Sequence, residues 1–526
     1  MPEGGQDRTT GNLPRHTLLP LLATVVSAMI SIRFSEHPQF GLEILPRLVG
    51  NVVIFLLAMR ATRRRPAALC QWWMIAAVMV AANGLLRLGF EPEFLSTLGN
   101  RDFLGTYLAA SIVIGASIGG TWSMLGNLLV AAAMCFCRSR GAWLALAAVA
   151  TLWFLADGDR LVRRWYARAA ILFLLVAGAG WCARPYVVRQ WQADVRPMIW
   201  KATLHMIAAR PFLGHGLGTY VAVYPRYRLP EYFLRPKSTN VTDHAHDELL
   251  EIAAEQGMVG LAATLWLGAT VVWCGIRACR QGEGPDRRLM WGLLGATLVL
   301  MLHGLVDVDL RHLPNQSLLW LLMGLLAGTH APETQRTWTT IPSQTARWCA
   351  ATGCLVLGMW LGTTTVIHPM MADWRDREAR LAEEGGDLGA AAQRAGDALR
   401  LQPFRLGTRY LLTGALARLP GPQIRDMAID QCLRIEELAP DYADVTFNLG
   451  QLYMAAGRAQ DAIPYLRRAV DINPYKADRR VALAVALREV GQTAEAVREL
   501  DRVLQMQPDD EDARTLRQDI LKEHAP

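Results

Sequence analysis

Arg-Pro-Phe-Leu-Gly-His-Gly-Leu-Gly (210–218), Asp-His-Ala-His-Asp-Glu-Leu-Leu (243–250) and Glu-Gln-Gly-Met-Val-Gly (255–260) lead directly into an apolar run over residues 258–274. A basic segment punctuated by glycine and histidine thus opens onto a stretch with the composition of a membrane span. Other apolar runs lie at 17–30, 48–59, 67–82, 103–119, 122–137, 142–156, 169–182, 289–306, 315–329 and 348–367. Several approach the roughly 20 residues that cross hydrocarbon, and the shorter ones reach that length with their flanks. They predict an all-α, polytopic transmembrane helix bundle of about 11 spans, since helices satisfy every backbone group within the segment. Composition agrees: 52% of the 526 residues are hydrophobic, 17 are tryptophan, and only 19% are charged, with a mean hydropathy of +0.17. Soluble enzymes of this length carry more charge. Basic residues precede the first run, but no small-residue cleavage site follows Ile30, so it reads as a span and not a signal peptide.

Charge orients the bundle. Short arginine-rich loops stay in the cytoplasm. Arg60, Arg63, Arg64 and Arg65 form one such loop, Arg160, Arg163, Arg164 and Arg168 a second, and Arg277, Arg280, Arg287 and Arg288 a third. With eleven spans all three share a side with residues 1–16, which become a cytoplasmic tail. Parity then places a large loop at 183–257 of the 17–368 membrane domain, and everything from 369 to 526, on the periplasmic side. From Arg184 to Asn240 that loop carries Arg184, Arg189, Arg196, Lys201, Arg210, Arg226, Arg228, Arg235 and Lys237 against Asp194 and Glu231. Long loops escape the charge bias, but such an excess also makes an electropositive basin for phosphate. The second reading is favoured because the motif residues lie in the same loop. Eight of the nine cysteines lie in or beside apolar runs, leaving Cys432 alone in the tail. They read as small buried apolar residues. No nucleic-acid partner is expected.

The tail repeats. Prolines recur at 369, 403, 440, 474 and 508, at intervals of 34 residues with a single interval of 37. Ala443 matches Ala477, Leu449 matches Leu483, Gly457 matches Gly491, Ala462 matches Ala496 and Leu466 matches Leu500. A 34-residue helix–turn–helix unit with small residues at the crossing resembles the tetratricopeptide repeat. Residues 369–526 are therefore expected to form an α-solenoid, either as a structural cap or as a groove for a protein partner.

Four motifs between about residues 85 and 330 resemble the O-antigen ligase and polymerase superfamily. They are Ser139-Arg140-Gly141-Ala142-Trp143; Arg196 with Trp200, then Pro211, Gly214, Gly216 and Gly218; His244-Ala245-His246-Asp247 leading to Glu255 and Gly257; and His303-Gly304-Leu305-Val306-Asp307. Asp247 departs from the family pattern, which has asparagine after the second histidine. The resemblance implies a bacterial inner-membrane glycosyltransferase that takes a glycan from an undecaprenyl-pyrophosphate carrier, without a metal or other cofactor. The acceptor would be another glycan, lipid A-core or a protein. Protein O-glycosylation and a non-catalytic scaffold that recruits partners through the repeats are the alternatives. The paired arginine and histidine motifs speak against a scaffold.

The side chains suit that chemistry. A departing pyrophosphate builds negative charge, which guanidinium groups hold bidentately, so Arg140 and Arg196 are the expected leaving-group ligands. Each has a plain alternative as an interfacial or solvated charge. His246 is the expected base. A helix capped by Thr242 or Asp243 would place it in the first turn, where the helix dipole keeps imidazole neutral. Arg210, His244, Gly214, Gly216, Gly218 and Asp307 are expected around the substrate. The glycines read as a tight turn and not as a nucleotide fingerprint, because no βαβ context surrounds them. His303 and Asp307, four apart, are expected on one helix face. The His-x-His pair lacks a third regularly spaced ligand, so no metal site is expected.

The sidedness of the arginine loops is directly testable. A reporter active only in the periplasm, fused after Pro526, should be active. Activity of a cytoplasm-specific reporter at that position would overturn the parity.

Overall fold

A computed structural model describes residues 15–61, 66–87, 100–156, 194–236, 238–329 and 344–523. Among the described residues the chain is all-α, with no strand. It divides into two compact units. One holds residues 1–189, 210–217 and 244–359, and the other holds residues 190–209, 218–243 and 360–526.

Every apolar run coincides with a helix, though 289–306 extends past the helix end at His303, except 169–182, which lies outside the described residues, as do Arg63–Arg65 and the Arg160–Arg168 cluster. In the first unit the helices are Arg15–Arg33, Pro38–Ala61, Pro66–Arg87, Arg101–Ile118, Thr121–Cys137, Arg140–Ala156, Glu248–Gln281, Gly284–His303 and Leu313–Gly328. Four of these, His16–Arg33, Pro38–Ala61, Pro66–Arg87 and Glu248–Gln281, are long and apolar enough to cross a membrane, as is the later Ala351–Glu384 stretch. Thr121–Cys137, Arg140–Trp153 and Leu313–Gly328 are shorter apolar helices. Small residues let the helices approach. A side chain at Gly324 would begin 2.3 Å from the Phe55 carbonyl oxygen, and one at Gly295 would begin 2.7 Å from Val113. Lipid offers little hydrophobic incentive for helix association, so close backbone packing of this kind holds such bundles together.

The second unit contains the repeats. Helices His368–Glu384 and Leu388–Leu401, Leu406–Arg418 and Pro422–Leu438, Val445–Ala455 and Ala459–Ile472, and Ala477–Glu489 and Thr493–Met506 pair in sequence, and Glu511–Glu523 follows. Pro403, Pro440, Pro474 and Pro508 fall in the turns between pairs, where a missing N–H costs nothing. Ala462 and Ala496 are fully buried at the crossings, and a side chain at Gly450 would meet Leu466 at 2.5 Å. The same unit includes Arg196–Ala209 and short turns at Tyr220–Val223, Tyr224–Tyr227 and Pro230–Leu234. The 183–257 segment thus carries helices of its own and contributes to both units.

One backbone crossing shapes the first unit. The Glu248–Gln281 helix breaks at Gly257, whose φ is 66° and ψ −171°. The break frees helical donors and acceptors, and residues 210–217 satisfy them. Met258 N–H donates to Pro211 O at 2.7 Å, His215 N–H to Ala254 O at 3.0 Å and Gly216 N–H to Glu255 O at 2.8 Å. The two backbones touch through glycine on both sides. A Cβ on Gly257 would lie 2.2 Å from Phe212 O, and a Cβ on Gly214 (φ 67°) would lie 2.4 Å from the Glu255 carbonyl. Gly257→Ala should therefore destabilise the unit by more than about 1 kcal/mol, since alanine fits neither the space nor the positive φ. Thermal unfolding of the detergent-solubilised protein measures this. An unchanged midpoint would show that the crossing yields easily.

Candidate functional site

The turn between the Gly284–His303 and Leu313–Gly328 helices gathers the site. It contains Gly304–Val308 and a single 3-10 turn at Asp309–Arg311. Gly304 O accepts the N–H of Glu248 at 2.8 Å, which ties the start of the broken helix to this turn. Arg311 completes the tie. Its Nε lies 3.1 Å from Glu248 Oε1 and 3.5 Å from Glu251 Oε1, and its Nη1 lies 2.9 Å from Glu255 Oε2. The three acids share one face of the helical arm before Gly257. The facing carboxylates hold the Arg311 guanidinium even more firmly protonated than usual, outweighing its burial. The Arg311 carbonyl accepts from Arg47 at 3.1 Å, so a further helix fixes the turn.

Each histidine of the His-x-His pair rests on a carboxylate. His244 Nδ1 lies 2.9 Å from Glu251 Oε1, and Glu251 Oε2 accepts the Ala245 N–H at 2.8 Å. His246 Nδ1 lies 3.3 Å from Asp307 Oδ1, which also accepts the Val308 N–H at 2.9 Å. Both rings are about a third exposed, while Glu251 and Asp307 are buried. A ring that donates Nδ1–H to a buried carboxylate turns its Nε2 lone pair outward.

Two local expectations are corrected. The helix does not begin near His244 under a Thr242 or Asp243 cap. Its N-cap is Asp247, which accepts the Leu250 N–H at 2.9 Å. Partial burial raises the Asp247 carboxyl pKa, opposed by these helix N–H bonds. His246 lies outside the helix in the left-handed region at φ 55°, uncommon for a residue with a Cβ, so the first-turn dipole argument does not apply to it. Nor do His303 and Asp307 share a helix face, because the helix ends at His303. His303 Nδ1 instead faces Asp309 Oδ1 at 3.1 Å, and both residues are buried.

Arg140 is exposed at the first position of the Arg140–Ala156 helix. Its neighbour Gly141 packs on the same turn, where an added Cβ would meet His303 Nε2 at 2.7 Å and Val306 at 3.3 Å. The helix start bearing Arg140 and the His246–Asp307 pair are thus both built onto residues 303–309. Arg210 forms an ion pair with Glu36. Gly214 and Gly216 form the turn at the backbone crossing, approaching protein backbone there. Arg196 and Gly218 lie in the second unit. Arg196 opens the Arg196–Ala209 helix and donates its backbone N–H to Asp194 at 3.0 Å, and Gly218 has a φ of 75°. Among the described residues no group of three or more His, Cys, Asp or Glu is placed to hold a metal ion. Sequence reasoning missed Glu251, Asp309 and Arg311. The spacing of Glu248, Glu251 and Glu255 along one helical face was a legible hint that a cation lay opposite.

Arg311→Met should destabilise the first unit by about 3–5 kcal/mol, because it leaves buried carboxylates without their counter-charge. Arg311→Lys should cost less. Thermal unfolding compares them, and a wild-type midpoint for Arg311→Met would show that the cluster is not what holds the helical arm.

Residues 125–265 match the O-antigen ligase family, and residues 453–520 match a tetratricopeptide repeat family. An O-antigen ligase of Pseudomonas aeruginosa is 38% identical over an alignment of 216 residues that covers 36% of this chain. The chain spans only half the length of that curated relative. Among solved structures, YrrB, described as a tetratricopeptide-repeat protein with an unusual peptide-binding site, is 20% identical with a TM-score of 0.26, covering 28% of this chain and 75% of its own. MamA from Desulfovibrio magneticus is 15% identical with a TM-score of 0.28, covering 29% and 85%. The stretch that is similar to the O-antigen ligase family holds Arg140, Arg196 and the His244–His246 pair, and the stretch similar to tetratricopeptide repeats follows it.

Proposed function

We propose that this protein is a metal-independent glycosyltransferase of the bacterial inner membrane, moving a glycan from an undecaprenyl-pyrophosphate carrier to an acceptor on the periplasmic side. The observation that carries the proposal is the His246 imidazole anchored through Nδ1 on buried Asp307, with His246 inside the region that matches the O-antigen ligase family. In the proposed step the acceptor hydroxyl gives its proton to His246 Nε2. Its oxygen bonds to the anomeric carbon of the donor sugar as the bond from that carbon to the pyrophosphate oxygen breaks. The electron pair leaves with the lipid pyrophosphate. Asp307 orients the ring and stabilises the imidazolium that forms, as the carboxylate does in a catalytic triad. Arg140 and Arg196 are assigned to the leaving pyrophosphate, where a guanidinium fork matches two oxygens. His244, steadied by Glu251, is assigned to substrate binding. Arg210 and the glycines at 214, 216 and 218 are assigned to shaping the loop around the substrate.

Acceptors in this reading are a lipid-linked glycan, lipid A-core or a protein. A protein acceptor gains support from the repeats, which carry an open groove of about 750 Å³ lined by Met454, Tyr475, Val481, Val485, Asp478 and Asp510. Such a groove offers apolar and acidic contacts to a peptide.

His246→Ala should lower transfer from a purified lipid-linked donor by about 10²–10⁴-fold while the protein still inserts. Arg140→Ala should cost on the order of 10²–10³-fold, and Arg140→Lys nearly as much, because an ammonium cannot reproduce the fork. Full activity of purified His246→Ala would remove the base assignment.

A further inference from the structure

The second unit joins residues 218–243 to the third helical pair of the repeats. The segment is built on aromatic rings. Tyr220, Tyr224 and Tyr232 are fully buried, and the Tyr220 and Tyr224 rings stack at 5.3 Å. The Arg228 guanidinium lies 5.5 Å from the Tyr224 ring, 5.4 Å from that of Tyr232 and 5.6 Å from that of Phe233. Its Nη1 donates to the Asn240 carbonyl at 3.0 Å. The Asn240 side-chain amide donates to the carboxylate of Asp444. The other Asp444 oxygen accepts from Arg479, which is 2% exposed and also donates to Ala469 O at 3.2 Å. A continuous polar chain thus runs from Arg228 through Asn240 and Asp444 into the core of the repeats.

The turn that presents Asp444 departs from its repeat. Asp441 and Ala443 have φ of 65° and 51°, in the left-handed region that side chains avoid. Thirty-four residues further on, Ala477 opens a regular helix and Asp478, the counterpart of Asp444, lies in its first turn. Non-glycine residues persist in that region where surrounding contacts over-determine them, and such strain gathers at functional contacts. Asp243, the last residue before His244, also acts here. After burial it is the leading influence that pushes the Tyr442 hydroxyl pKa upward.

We propose that the repeats are part of the transfer machinery, with Asp444, Asn240 and Arg228 as positioning residues for the chain that enters His244-Ala245-His246. The proposal rests on the assignment of His246 as the base. Asn240 lies six residues before His246, so pinning it leaves only residues 241–243 between the anchor and the histidine pair. Catalytic geometry tolerates little slack, and a displacement of about 1 Å costs up to about 10²-fold.

The test uses the purified full chain with Asn240→Asp, with Asp444→Asn and with both. Asn240→Asp sets two carboxylates against each other, and Asp444→Asn strips buried Arg479 of its counter-charge. The double variant again faces an amide with a carboxylate, while Arg479 still lacks its charged partner. Each single variant should lower kcat per folded enzyme on the order of tenfold at unchanged donor KM, and the double should recover part of it. Amide hydrogen exchange over residues 238–247, measured without substrate, should rise in each single variant and return in part in the double. If Asp444→Asn does not fold, Asn240→Ala removes the amide alone and should show the same fall and the same rise. Unchanged kcat in folded single variants overturns the positioning role, and unchanged exchange overturns the contact itself. A wild-type protein that transfers no glycan would instead overturn the function proposed above, while the exchange arm still decides whether the contact restrains the segment.

Discussion

The first unit depends on a helix that is broken inside a largely apolar bundle. An α-helix is suited to hydrocarbon because it satisfies its own backbone, and a break forfeits that advantage. Here the donors and acceptors freed around Gly257 are taken up by residues 211–216. Only glycine at 214 and 257 lets the two backbones come so close. The break has a consequence for function. It separates the acidic arm Glu248–Gln256 from the apolar run behind it and directs Glu248, Glu251 and Glu255 toward Arg311.

Charge then organises the site. A lone buried carboxylate is costly, and three on one face are tolerable only with a counter-charge and further hydrogen bonds. Arg311 supplies the counter-charge, while His244 and the Ala245 N–H satisfy Glu251. The same turn that carries Arg311 carries Asp307, so the arm and the partner of His246 are held in one piece. Asp247 fits this arrangement as a helix cap. Its carboxylate accepts the Leu250 N–H, a task asparagine performs equally well.

The repeats follow a different logic. Each helical pair buries alanine and leucine against its neighbour, so the solenoid is dominated by contacts close in sequence. The turn at Asp441–Asp444 is the exception. Two residues with side chains adopt positive φ there, and Asp444 joins Asn240 to Arg479. A local rule is broken where a long-range contact compensates, as is expected at functional or strained positions.

The sequence alone determined the helical class, the positions of the apolar helices within the described residues, and the 34-residue period. These are one-dimensional signals, because hydrocarbon thickness sets run length and helix stacking sets the repeat. It also singled out Arg140, His244 and His246, because they sit in short glycine- and histidine-bearing motifs beside the apolar runs. Tertiary structure decided how those groups are held. His246 meets Asp307 across 61 residues, and Glu255 meets Arg311 across 56. The spacing rule that paired His303 with Asp307 assumed a continuous helix, but the helix stops at His303 and Asp309 takes the place. The cap expected at Thr242 or Asp243 moved to Asp247 because His246 turns left-handed before it, beside the Asp307 carboxylate. Periodicity reports which residues share a face of one element. Which carboxylate meets which cation depends on how separate elements pack, and here that packing follows from a break at a single glycine.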